Sequence, residues 1–243
     1  MSSPAEYYKS LPPISKGFAT ICLLFAVSSR LGLLKLSYIF LSYRLALFRF
    51  QIWRLFTNFF FLGDFSINFG IRLLMILRYG VQLENGPFQR RTADFLWMMI
   101  FGSVTLMILS AIPFLYSPFL ATPLVFMLLY VWSREYSNAQ ISLYGLVTLK
   151  GFYLPWAMLV LDIVFGAPLL LDLLGILAGH IYYFLTVLHP LATGKIYLKT
   201  PKWVNKLVLK FRIGVPTASA RDSFVPPERT TGIFRGRAYR LSD

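Results

Sequence analysis

Residues 95–133, FLWMMIFGSVTLMILSAIPFLYSPFLATPLVFMLLYVWS, run for 39 positions without a charged side chain. A helix rises 1.5 Å per residue, and about 20 apolar residues cross a ~30 Å hydrocarbon layer, so the stretch is too long for one span. Pro113, Pro118 and Pro123 interrupt it. It therefore predicts two spans joined by a tight turn near PFLYSP, and a membrane protein rather than a soluble domain.

Working outward, a further apolar window runs from Gly151 past Asp162 to Ala167, and another follows Asp172 to Leu188. Towards the N-terminus, Gly17–Ser29 is uncharged, and Phe65–Leu83 reads as a span despite Arg72 and Arg78. The expected fold is an all-α bundle of six spans. Composition agrees: 57% of the 243 residues are hydrophobic and 14% charged, against roughly a quarter charged in soluble domains. The Gly17–Ser29 window follows Lys9 and Lys16 and ends in AVSS, which also fits a secretory signal peptide. On that alternative Arg30 and Lys35 open the mature chain; on the uncleaved one they snorkel to the far interface.

The 24 Lys and Arg residues report topology. Five of them, Arg30, Lys35, Arg44, Arg49 and Arg54, flank one side, Arg72 lies within a span, and the other 18 flank the opposite side or follow Pro190. By the positive-inside rule both termini face the cytosol. A single cysteine, Cys22, excludes an internal disulfide and any multi-thiolate metal site, and two histidines leave little for a histidine-built one. No cofactor, metal or nucleic-acid motif stands out.

The chain divides into an N-terminal segment (1–16), a membrane domain (17–190), a basic juxtamembrane segment (191–216) and a polar tail (217–243). Within the second, YRLALFRFQIWRLFTNFF (43–60) sets arginines among aromatics, the pattern of a piece lying in the interface. The tail, with low apolar content and two adjacent prolines, is expected to be disordered until bound.

QIWRLFTNFFF (51–61), LENGPFQRRTADFLWMMIFG (83–102), LLYVWSREY (128–136), YLPWAM (153–158) and LLGILAGHIYYFL (173–185) occur in the order found in the Derlin family. The chain resembles that family, plant-type members in particular: six-span endoplasmic-reticulum proteins related to rhomboid proteases. A rhomboid needs a serine in a Gly-x-Ser-Gly turn at the start of the fourth span and a histidine from the sixth. His180 lies in the sixth, but Gly-x-Ser-Gly occurs nowhere in the chain. The reading is a non-catalytic rhomboid-like protein, as the resemblance also implies.

Gly175 and Gly179 stack on one helix face and admit a neighbouring backbone; the resemblance implies that this pair, with His180 after it, is needed for function. His180 itself reads as a hydrogen-bonded interior histidine. Trp53 and Arg54 alone read as an interfacial anchor, and the resemblance implies that they fix the first lumenal loop beside a lateral opening. Asp162 is the better candidate for lining a lumenal cavity, with Arg72 as a partner, whereas Asp172 reads as an acid at a helix N-terminus.

The end of the chain, GIFRGRAYRLSD (232–243), resembles the motif by which Derlins bind the valosin-containing AAA+ ATPase, through Phe234, Gly236, Arg237, Ala238, Tyr239, Arg240 and Leu241. Ala238 departs from the usual second glycine. The resemblance further implies misfolded proteins as substrates, an endoplasmic-reticulum ubiquitin-ligase complex as partner, contact with membrane lipids, and homo- or hetero-oligomers. Short apolar windows of ~15–18 residues cover about 22–27 Å, which implies a bilayer thinned around the protein. The competing readings are an active intramembrane serine protease and a small-solute transporter or channel.

Overall fold

Prolines and short polar side chains set where the helices begin. A computed structural model describes residues 4–143, 145, 147–195, 198–211 and 213. After a short helix α1 (Pro4–Ser10), Pro12 and Pro13 open α2 (Pro13–Arg30), with Pro13 in the first turn, where a missing N–H costs nothing. Ser42 caps α3 (Tyr43–Phe48), accepting from Leu45 N, and α4 (Arg54–Thr57) follows. Ser66 caps α5 (Ile67–Met75) by accepting from Phe69 N at 3.2 Å. A π turn, Ile76–Gly80, carries α5 into α6 (Val81–Asn85).

The 39-residue window forms α7 (Thr92–Ser110) and α8 (Ala121–Glu135), with a 3₁₀ turn at Pro113–Leu115 between them. Next come β1 (Gln140–Leu143) and β2 (Val147–Lys150), then α9 (Leu154–Val164), α10 (Leu169–Tyr183), a second π turn and α11 (His189–Thr193), and finally α12 (Lys202–Lys210).

The all-α expectation is corrected at the hairpin. β1 and β2 pair antiparallel, Gln140 opposite Lys150 and Leu143 opposite Val147. Gly145 at the turn has φ +77°, a left-handed conformation glycine adopts without strain. Among the described residues, α7 (19 residues) and the continuous run Leu169–Thr193 (25 residues) are long and apolar enough to cross a membrane on length and composition. α8 has 15 residues and α9 has 11.

Every residue of α8 from Ala121 to Ser133 is buried. α10 packs along it, and α5, α7, α9 and the first π turn pack around it. A helix apolar on all sides, with Thr122 and Ser133 its only hydroxyls besides Tyr130, suits a position enclosed by protein.

Candidate functional site

Close approach of two backbones defines the α8–α10 contact. A Cβ on Gly179 would lie 2.8 Å from Tyr130 Cβ and 3.0 Å from Met127 O. A Cβ on Gly175 would fall 2.5 Å from Phe126 Cβ and on the carbonyl oxygen of Pro123. The two glycines are thus the places where α10 presses on the main chain of α8, and no rotamer change can relieve a collision with backbone.

His180, the next residue, turns off that face. Its Nδ1 is 2.7 Å from the Tyr130 hydroxyl, and the two rings meet nearly edge-on. The interior position expected for it is corrected: His180 is hydrogen-bonded but exposed, because Gly179 occupies the buried azimuth one residue earlier. The Arg134 guanidinium lies over the other partners of this corner, 4.6 Å from the Tyr130 ring and 4.4 Å from that of Phe152.

Arg72 on α5 and Asp162 on α9 form a buried ion pair, Nη2 to Oδ2 at 2.9 Å. Arg72 Nη1 also donates to Leu62 O at 3.2 Å. Asp172 is fully buried, in the first turn of α10 and close enough for both Asp162 and Arg72 to act on its charge. The acid at the helix end is therefore the third member of a charged cluster. Among the described residues, neither of its oxygens nor Asp162 Oδ1 has a hydrogen-bond partner. Two carboxylates and one guanidinium carry a formal excess of one negative charge, held in the part of the molecule where unpaired charge costs most. A cavity of about 380 Å³ lies on the Arg72 side, bounded by Leu62, Arg72, Tyr116, Thr122 and Leu171.

The loop between α2 and α5 is folded on itself. Arg54 is only 4% exposed: its Nε donates to Gln51 Oε1 at 2.6 Å, its Nη1 to Phe40 O at 3.2 Å, and its guanidinium stacks 4.7 Å from the Phe40 ring. Trp53 is half exposed, and its Nε1 donates to Tyr38 O. One residue of the pair thus fastens the loop from within while the other remains at the surface. Tyr43 and Tyr116 tie the loop to the bundle through Met107 O and Leu41 O, and burial pushes both phenols up.

One residue central to the architecture was given no role by the sequence. Glu84, at the end of α6, is buried and accepts from Ile14 N, Ser15 N and Ser15 Oγ, at 3.0, 2.8 and 2.8 Å. It lies within LENGPF, yet nothing local marks an acid as the cap of a helix elsewhere. The ATPase-docking positions Phe234, Gly236, Arg237, Ala238, Tyr239, Arg240 and Leu241 lie outside the described residues.

These features define a helical membrane protein built round one enclosed helix, with a buried ion pair beside it. The model of the Der1-like family matches residues 11–202, and the chain belongs to that family. It is 63% identical to Derlin-1 of Arabidopsis thaliana and 65% identical to Derlin-1 of Oryza sativa subsp. japonica, each comparison covering 100% of both chains. It is 40% identical to the probable derlin-2 homolog of Dictyostelium discoideum, over 86% of this chain and 84% of that one.

Proposed function

We propose that this chain is a non-catalytic, rhomboid-like component of the endoplasmic-reticulum membrane that moves misfolded proteins to the cytosol for degradation. The observation that carries the reading is the shortness of α9, whose outer face is exposed, beside a buried charged cluster. At 1.5 Å per residue, the continuous helical run Gly151–Val164 reaches ~21 Å, well below a ~30 Å hydrocarbon core, and Val160, Ile163 and Val164 on it are exposed. Lipid meeting so short a boundary thins to match it. A thinner layer, with Arg72, Asp162 and Asp172 held at depth, lowers the barrier to a polar polypeptide without bond-breaking chemistry.

On this reading the protein crosses the membrane six times with both termini cytosolic, and the first loop, fastened by Arg54, lies beside the entry for substrates. The tail recruits the valosin-containing AAA+ ATPase, which supplies the pulling force, and an ubiquitin-ligase complex marks the emerging chain. Membership of the Derlin family supports the assignment to endoplasmic-reticulum-associated degradation. His180 bonded to a tyrosine rather than a serine supports the non-catalytic part.

The test is a degradation reporter in cells lacking the endogenous relatives. The intact chain should restore turnover of a misfolded lumenal glycoprotein. Restored turnover that is abolished by a serine-directed inhibitor labelling this protein, or cleavage of a rhomboid substrate by the purified chain, would refute the reading.

A further inference from the structure

α12 carries two apolar faces, and among the described residues only one is covered. Val204 and Val208, four residues apart, are buried where α12 packs on α7. Trp203, Leu207 and Phe211, also four apart, form a second stripe that is 52%, 36% and 65% exposed. At about 100° per residue this stripe lies a quarter-turn or so round the helix from the first. Lys202, Lys206 and Lys210 form a third stripe, all exposed and about 100° further round, directly opposite the valines.

The chain has no Asp or Glu between Asp172 and Asp222, so nothing within the segment balances these lysines. The nearby Asp94 is engaged, accepting from Arg91 Nε at 2.6 Å and from Thr200 Oγ1. That contact and the Trp97–Trp203 ring pair, with centroids 6.2 Å apart, hold α12 against the N-terminal end of α7. α12 therefore sits at the level where a membrane-crossing helix leaves the hydrocarbon.

We propose that α12 is an in-plane membrane helix that binds anionic phospholipid, with Trp203, Leu207 and Phe211 in the acyl boundary and Lys202, Lys206 and Lys210 on the headgroups. An exposed large-apolar stripe beside a purely cationic one is complementary to an anionic lipid surface and to little else. A neutral protein partner leaves the lysines unmatched, and a second copy of the same face sets cation against cation. The inference rests on the membrane assignment alone and needs no role in degradation. Its consequence is that lipid composition governs how firmly the segment leading to the tail lies on the bilayer.

The test uses the full chain, with Cys22→Ala and a single environment-sensitive fluorophore on Leu207→Cys, in nanodiscs of phosphatidylcholine with and without phosphatidylserine. Emission should shift to shorter wavelength only in the anionic discs and revert at high ionic strength, since headgroup attraction is screened. Removing each lysine should lower apparent affinity for the anionic lipid about fivefold, so that K202Q/K206Q/K210Q abolishes the shift. The unfolding temperature of that variant should match the parent. A fluorophore on Asn205→Cys should stay water-exposed throughout. A shift equal in neutral discs, a shift retained by the triple variant, no shift at all, or one that follows the number of copies per disc would each overturn the proposal. Because the readout involves no substrate, a chain inactive in the degradation reporter leaves it standing.

Discussion

The carboxylate of Glu84 caps the helix α2 from 69 residues beyond Ser15, accepting the Ser15 N–H and hydroxyl at 2.8 Å each. Its other oxygen takes the Ile14 N–H at 3.0 Å. Free N–H groups at a helix N-terminus are half-positive, so a buried carboxylate there serves as both acceptor and counter-charge. Glu84→Ala should destabilise the fold by about 2–3 kcal/mol, the range for losing a cap together with a charge-assisted bond. Glu84→Gln, which keeps an acceptor, should lose less. Thermal unfolding in nanodiscs and limited proteolysis near residue 13 measure both; equal stability of all three proteins contradicts the capping role.

The Arg72–Asp162 pair gives an ordered series. Arg72→Leu should be the most damaging single change, about 3–5 kcal/mol, because it leaves Asp162 and Asp172 buried together without a cation. Arg72→Leu combined with Asp162→Leu should recover part of that loss. Unfolding midpoints that simply add would show that the two side chains act independently.

Three glycines separate backbone collision from side-chain collision. Gly175→Ala drives a methyl into the Pro123 carbonyl and Phe126 Cβ, and Gly179→Leu drives a larger group against Tyr130 and Met127, each costing about 1–3 kcal/mol and slowing substrate turnover. At Gly102 the obstacle is the thioether end of Met127, which can rotate, so Gly102→Ala should cost less. A Gly102→Ala protein as impaired as Gly175→Ala would mean that rigidity of the α8 backbone is not what matters.

How much could be read from sequence depends on how local each signal is. The six apolar windows were legible because charges or prolines bound them, and each corresponds to a helical run here, although among the described residues only Thr92–Ser110 and Leu169–Thr193 are both long and apolar enough to cross a membrane on length and composition. The hairpin was missed because QISLYGLVTLK lies in a short interval between two apolar windows. Its alternation of Ile141 and Leu143, then Val147 and Leu149, about Gly145 was the available signal. Arg72 and Asp162 stood out as charges inside spans and as partners for each other, but they are 90 residues apart, and the contact itself is visible only in the fold. Asp172 looked self-sufficient at a helix end, because a helix dipole can explain one acid without any partner.

The tail offers a prediction independent of the membrane domain. Tyr239→Ala with Leu241→Ala keeps every Lys and Arg, so a purely electrostatic tail is affected little, whereas a docking motif loses its two anchors. Recruitment of the AAA+ ATPase should fall to background while insertion is unchanged. A synthetic tail peptide and its doubly substituted version, compared on the isolated N-domain of the ATPase, provide the check; equal binding by both rejects docking.

The enclosure of α8 also imposes an order on biogenesis. Its surface from Ala121 to Ser133 is shaped to meet α10 and α9, which the ribosome makes only afterwards. During synthesis the helix must wait, with Thr122 and Ser133 in surroundings other than their final ones, until the glycine face of α10 arrives to close over it. Assembly therefore ends rather than begins at the centre of the molecule, and a chain that stalls before Leu169 leaves that centre open for quality control to recognise.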